Sequence, residues 1–491
     1  MSAWDALGFG LRVAIEPENL LYGFIGCLLG TVVGVLPGIG TLSVIAMLLP
    51  LTYVLSPVAG IIMLAGIYYG AQYGGNTSAV LLGIPGESSA VVSTFDGHQM
   101  AKKGRAGSAL AIAALSSFVG GCVATLAMLL LSPSLAKLAL LFGSAEYCML
   151  MLLGLIGAMT FANGHWAKTL GMTLLGLLLS TVGMDGQTGA QRFDLGWLSL
   201  RDGLDVAIVA MGLFGLAEVI QQLVRPHQPA AALPPLPLRD CYPSRKEVGQ
   251  AAPAVARGTV LGIVLGVLPG IGATIASFAA YTLEKRVNRH RQLLGSGHPA
   301  GLAAPEAANN ASAQTSLIPL LTLGIPGGVV VALMVGALTV HNIQPGPGLM
   351  VQHPELFWGL IASMWVGNVI LLVLNLPLIG LWVKLLRLPY PMLFPLILVF
   401  STFGVYALNG QVVDVYWLLA FGVLGYLMRL FQCEVAPLLL GFVLGPLLEE
   451  HLRRALLLSE GSFMVFVTRP LALALLGLCV VTVVLMLRRG R

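Results

Sequence analysis

The chain has 491 residues, of which 57% are hydrophobic and 10% charged, and its mean hydropathy is +0.89. A soluble domain carries about 25% charged residues. So little polar surface excludes a water-facing globule and predicts an all-α polytopic membrane protein set in a lipid bilayer. The net charge of +5 is modest and belongs to loops, where it reports orientation and not nucleic-acid binding.

Residues 1–17 are short on basic residues and lack a sustained apolar core, so no cleavable signal peptide is expected. Trp4, Leu7, Leu11 and Ile15 recur at helical spacing, which fits an interfacial arm or an ordinary packed helix. Residues 19–55 form one apolar run broken at Pro37-Gly38. It is long for one crossing of about 20 residues and short for two, so it predicts a re-entrant hairpin with its tip at 37–40. Residues 57–95 read as a discontinuous helix, interrupted at 74–78 and again at 83–86. A basic loop with Lys102, Lys103 and Arg105 follows. Further spans are predicted at 107–131, 147–161, 167–182 and 204–224. The segment 226–253 is the linker: its repeated prolines favour extended chain over packed helix.

The second half repeats this order. Gly-Val-Leu-Pro-Gly-Ile-Gly at 34–40 returns unchanged at 266–272, 232 positions later (266 − 34), and Gly-Ile-Pro-Gly at 83–86 returns at 324–327. The period is too long for a solenoid and predicts two homologous halves, residues 1–225 and 254–491. The second hairpin tip is expected at 269–272 and the second broken helix at 309–327. Later spans are predicted at 356–378, 393–406, 415–430, 435–448 and 465–487. The six cysteines show no paired spacing and read as small apolar residues. The histidines form no metalloprotease pattern, so no metal centre is expected.

Arginine and lysine in short loops mark the cytoplasmic side. Neither occurs between Arg12 and Lys102, nor between Arg291 and Lys384. The turn after the first hairpin is uncharged, whereas the matching second turn carries Lys285, Arg286, Arg289 and Arg291. The loop after the first Gly-Ile-Pro-Gly is basic, and its counterpart at 341–354 has neither residue. Corresponding loops are therefore expected on opposite sides, the signature of an inverted-topology repeat. Arg192, Arg201, Arg453 and Arg454 fit the rule less well.

A single Pro-Gly in a membrane helix is ordinarily a kink. Two identical copies in charge-inverted contexts point to a shared role near the bilayer midplane. Helix ends left open there present free N–H groups and a partial positive charge, which suits carboxylates, while unwound carbonyls suit Na⁺. The predicted substrate-binding residues are Pro37, Gly38, Gly40, Asn76, Thr77, Ser78, Pro269, Gly270, Gly272, Asn309 and Asn310. Gly83, Pro85, Gly86, Glu87, Glu306, Pro326 and Gly327 are predicted to serve the breaks or the coupling. Asn309 and Asn310 have a plainer reading as helix caps, and Gln314–Ser316 as interhelical contacts. An acid at membrane depth is functional by default, though Asp96 reads equally well as a loop residue. No nucleophile-base constellation is evident, so an enzyme is not expected, although an intramembrane enzyme is the alternative from another class. A stand-alone carrier is the alternative within the same class.

Several stretches together resemble the large membrane (permease) subunit of the tripartite tricarboxylate transporters. They are Tyr-Tyr-Gly-Ala-Gln-Tyr-Gly-Gly-Asn-Thr-Ser at 68–78, Gly-Ile-Pro-Gly-Glu at 83–87, Asp-Gly-His at 96–98 and Met-Ala-Lys-Lys-Gly-Arg-Ala-Gly at 100–107. In the second half they are Ala-Pro-Glu-Ala-Ala-Asn-Asn-Ala at 304–311, the segment 320–327 and Gln-Pro-Gly-Pro at 344–347. The resemblance covers nearly the whole chain. It implies a multi-pass permease of the bacterial inner membrane that works with a small membrane subunit and a periplasmic solute-binding protein. It implies secondary uptake of a citrate-like di- or tricarboxylate, driven by Na⁺ or H⁺ without ATP, and an elevator-type fold, with a homo-oligomer left open. Where that family tends to be glycine-rich after the paired asparagines, this chain has Gln314-Thr315-Ser316.

Overall fold

A computed structural model describes residues 3–36, 40–161, 165–185, 187–194, 196–224, 242–270, 272–386 and 394–489. Pro37, Gly38 and nearly all of the proline-rich part of the linker lie outside them. The described chain is almost wholly helical. Its one sheet is a two-stranded antiparallel pair, β1 (Gly183–Met184) and β2 (Gln191–Arg192).

The first half opens with α1 (Ala3–Ala14), α2 (Pro17–Val35), α3 (Thr41–Leu48) and α4 (Pro57–Leu82). Next come α5 (Gln99–Lys102), α6 (Ala106–Ala139), α7 (Ser144–Phe161), α8 (Trp166–Leu179), α9 (Val206–Ala210) and α10 (Ala217–Val224). The second half starts with α11 (Arg245–Val267), α12 (Gly272–Val287), α13 (Pro299–Thr315), α14 (Leu317–Leu323), α15 (Val329–Val340) and α16 (Leu349–Gln352). It closes with α17 (Pro354–Asn375), α18 (Ile379–Leu385), α19 (Phe394–Asn409), α20 (Val412–Leu430), α21 (Val435–Leu458), α22 (Val465–Thr468) and α23 (Pro470–Arg489). Six of the described helices, α2, α6, α11, α17, α20 and α21, are long and apolar enough to cross a bilayer. The chain is thus a polytopic helical membrane protein. The N-terminal helix packs: Gly10 sits against the Trp358 carbonyl of α17, while Trp4 stays exposed.

Two glycine stripes set the geometry. On α2, Gly26, Gly30 and Gly34 meet the backbone of Met63, Ile67 and Ala71 on α4; on α11, Gly258, Gly262 and Gly266 meet Ala304, Ala308 and Ser312 on α13. Small residues four apart let helix backbones approach closely. Numbers rise together in both sets, so each pair runs parallel, and the chain between must double back. It does so through α3 and the 3₁₀ turn Pro50–Val54 in the first half, where Thr52 ends beside Gly60 at the start of α4. In the second half it returns through α12, whose Glu284 pairs with Arg257 of α11 at 2.6 Å.

The expected interruption at 74–78 is not there: α4 runs unbroken to Leu82. Gly74 and Gly75 act as close-packing positions, Gly74 against the Thr31 backbone and Gly75 against Glu87. Likewise Asn309 and Asn310 lie inside an unbroken α13, neither at a break nor at a cap. Asp96 is no surface-loop residue. It is fully buried on a π-helical turn (Thr94–His98) and accepts the backbone N–H groups of Gly295, Gly297 and His298 at 2.8–2.9 Å. The misfit arginines are largely neutralised: Arg192 and Arg453 both pair with Asp185 and Glu449, and Arg454 pairs with Glu450. The Gln187 N–H beside Asp185, helped by Arg453, holds that carboxyl well below the usual range.

Candidate functional site

The two Gly-Ile-Pro-Gly segments end their helices in the same way. Gly83 (φ +68°) and Gly324 (φ +73°) are left-handed C-caps, whose N–H groups bond Ala79 and Leu320 carbonyls. Glycine takes this conformation without a Cβ clash, and the proline two residues on cannot resume the helix. The chain then restarts as a 3₁₀ turn (Ser88–Val91) in the first half and as α15 in the second.

These restarts meet around a cavity of about 1000 Å³. Its wall takes Glu87, Ser88 and Ser89 from behind the first break and Gly328, Val329 and Val330 from behind the second. Gly270, Gly272, Ala273 and Thr274 come from the second hairpin tip, and Leu42 from just behind the first. Gly40 and Gly328, the N-cap residues of α3 and α15, offer no side-chain cap. Their helix ends therefore keep unsatisfied N–H donors near the cavity, with the positive end of the dipole beside them. Arg286 also lines the cavity, but it lies 14 residues beyond Gly272 on α12 (286 − 272), roughly 21 Å at 1.5 Å per residue. The cavity therefore extends along α12 from the tip toward the basic 285–291 loop.

Polar contacts brace this space, and the one between Ser88 and Thr274 joins the two halves. Thr41 donates to the Glu87 carboxylate, and Ser88 hydrogen-bonds Glu87 and Thr274, each at 3.1 Å. The second tip is braced by Gly270 N–H donating to the Gly327 carbonyl at 3.1 Å, and it lodges against Gly154 and Ala158 of α7. Within the wall, Ser89 donates to Gln72 Oε1 at 2.5 Å.

The predicted asparagines sit deeper. Asn76, Thr77, Ser78, Asn309 and Asn310 are all buried and do not line the cavity. Glu306, also buried, accepts from Asn76 Nδ2 and Ser93 Oγ, and from Ser117 Oγ at 3.4 Å. Asn310 Nδ2 donates to Ser117 Oγ at 2.8 Å and to the Glu306 carbonyl at 3.2 Å. The Asn76–Glu306 contact joins α4 to α13. Farther toward the start of α13, Val80 and Leu302 share Gly97 as a neighbour. Numbers rise on one helix as they fall on the other, so these corresponding helices run antiparallel. Gly40, Glu87, Gly270 and Gly272 are at or beside the cavity, while Gly83, Pro85, Gly86, Pro326 and Gly327 form the breaks. Sequence reasoning missed Gln72, Ser88, Ser89 and Thr274. Gln72, Ser88 and Ser89 stand inside or directly after motifs, and that adjacency was the available signal.

A polytopic helical membrane protein with paired helix breaks around an internal cavity is the class that fold and site define. Residues 20–440 match the model of the tripartite tricarboxylate transporter TctA family, and the chain belongs to that family. It is therefore a membrane component of tricarboxylate transport. It is 52% identical over 481 residues, 98% of this chain and 95% of the relative, to an Agrobacterium vitis protein described as an uncharacterized 52.8 kDa protein in the TAR-I ttuC' 3' region. It is 57% identical over 226 residues, 46% of this chain and 93% of the relative, to an uncharacterized Agrobacterium vitis protein in the TAR-II ttuC' 3' region. No solved structure matches.

Proposed function

We propose that the chain is the permease of a secondary-active uptake system for a di- or tricarboxylate of the citrate type. A periplasmic binding protein delivers the substrate, a small membrane subunit completes the complex, and a Na⁺ or H⁺ gradient drives import across the bacterial inner membrane. One observation carries this reading: open helix ends from both halves face one cavity, at whose deep end no Lys or Arg stands among the described lining residues. A carboxylate there would take backbone N–H groups and the hydroxyls of Ser88 and Thr274.

The halves act as inverted repeats with re-entrant hairpins, moving by an elevator-like exchange of the cavity between the two faces. Support comes from the parallel α2/α4 and α11/α13 pairs and the antiparallel α4/α13 contact. The cavity reaches toward the 285–291 loop, which is cytoplasmic by its charge, so this is the inward-facing state. Vesicles reconstituted with the permease and its small subunit test the proposal. Labelled citrate should accumulate only with the binding protein outside and an inward cation gradient. Equal accumulation without either would refute both dependences, and none under any gradient would refute secondary uptake of citrate.

A further inference from the structure

We infer that the Glu306 carboxylate and the amide oxygens of Asn76 and Asn310 form a binding site for one sodium ion where α4, α6 and α13 meet. Glu306 lies in the protein interior, and among the described residues no Lys, Arg or His pairs with it. Three donors reach the carboxylate, from Asn76, Ser93 and Ser117. All three contacts use it as an acceptor, and once ionised it is a buried negative charge that needs a counter-charge.

The same spot holds acceptors in excess. Asn76 is 3% exposed and Asn310 0%. Each spends its NH₂ group in the cluster, on Glu306 or Ser117. Each leaves Oδ1 with no partner among the described residues. An amide carries both atoms on one carbon, so each free oxygen belongs to the same buried cluster as its nitrogen. Turning either amide over would aim oxygen at Glu306 or at Ser117, trading a donor for an acceptor. One carboxylate plus neutral amide and hydroxyl oxygens is a hard, all-oxygen donor set, and its single negative charge matches a monovalent cation. Asn309, one turn along the same face of α13, keeps both side-chain polar atoms buried and unpartnered.

The site is linked to the cavity. Asn76 Nδ2 also donates to the Gln72 carbonyl at 3.2 Å, and the Gln72 side chain takes the Ser89 hydroxyl from the cavity wall. An ion that fixes Asn76 therefore fixes that wall too. A role as the driving ion rests on the transport reading above; sodium binding itself does not.

The test is thermal unfolding of the purified permease in detergent, with NaCl compared with KCl at fixed ionic strength and pH. Sodium should raise the wild-type midpoint saturably. Glu306→Gln should lose that rise, and Asn310→Ala should need at least tenfold more sodium for half the effect, measured from its own sodium-free midpoint. Should Glu306→Gln fail to fold, Asn310→Ala and Ser117→Ala carry the test. No sodium-specific rise in wild type, or an unchanged rise in every folded variant, overturns the site. A rise that follows pH alone means a proton in place of sodium and overturns it as well. Radiolabelled citrate binding, measured on the same preparation, tests the cavity separately. Sodium stabilisation without citrate binding supports the ion site and removes the cavity reading alone.

Discussion

The two Gly-Ile-Pro-Gly breaks share a backbone and differ in everything around it. Each ends a buried helix on a left-handed glycine. Behind the first break the chain presents Glu87, Ser88 and Ser89, then turns through a π-helical segment whose Asp96 is clamped by backbone from the second half. Behind the second break it presents Gly328 and an apolar helix, and Gly327 braces the neighbouring tip. One break supplies hydroxyls and an acid, while the other supplies bare backbone. The identical part fixes how the helices stop, and the divergent part fixes what chemistry each stop offers. An anion site needs both, because donors on one wall must be held in register with a helix end on the other.

The largest effect should come from crowding the breaks. A Cβ at Gly86 would run into the Gly34 carbonyl, and one at Gly327 into the Ser316 carbonyl. Gly86→Val and Gly327→Val should each cost about 4 kcal/mol or more, the range of severe core disruption. Size-exclusion chromatography should show little folded protein for either. If only one is severe, the breaks are not structural equivalents. Next comes Asp96→Asn, which removes the charge from an acceptor of three backbone N–H groups and the Tyr281 hydroxyl. A charge-assisted hydrogen bond is worth about 1.5–3 kcal/mol, so thermal unfolding should fall clearly while the cavity residues stay intact.

How far these features were legible follows from what one chain can carry. A glycine before Ile-Pro-Gly announces a helix end, because the left-handed cap and the proline are both local demands. Gly74-Gly75 carries the same residue type for the opposite purpose, close approach of α2 and Glu87, and the chain alone does not separate the two uses. The placement of arginine and lysine predicts halves of opposite orientation, and the antiparallel α4/α13 contact agrees with that expectation at one place. Of the arginines that broke the rule, Arg192 reaches Glu449 and Arg453 reaches Asp185, partners hundreds of residues away in the chain. Asn76 and Asn310 read as polar residues near a break, but whether they face a cavity or a carboxylate depends on the α4/α13 contact, a tertiary fact. Gln72 and Thr274 gained their positions in the same way.

Smaller effects sharpen the chemical side of the contrast. Ser88→Ala and Thr274→Val each remove one neutral hydrogen bond across the cavity, worth about 1 kcal/mol. Citrate affinity in reconstituted vesicles should weaken about fivefold for each, with expression unchanged. The double variant should fall short of the product of the two, because both lose the same Ser88–Thr274 contact. The smallest effect belongs to Gly328→Ala. The position is extended (φ −175°) and open to a Cβ, so unfolding temperature should stay unchanged. A large loss of stability there would show that the second break is as crowded as the first.

The most direct test places a cysteine on each wall, Ser88→Cys from the first half and Thr274→Cys from the second, and follows maleimide labelling in vesicles against the native-cysteine background. Citrate should slow labelling at both positions over the same concentration range, while Tyr416→Cys, beside a different cavity, should be unaffected. Protection at only one wall, or at neither while uptake continues, would contradict a single anion pocket shared by the two halves.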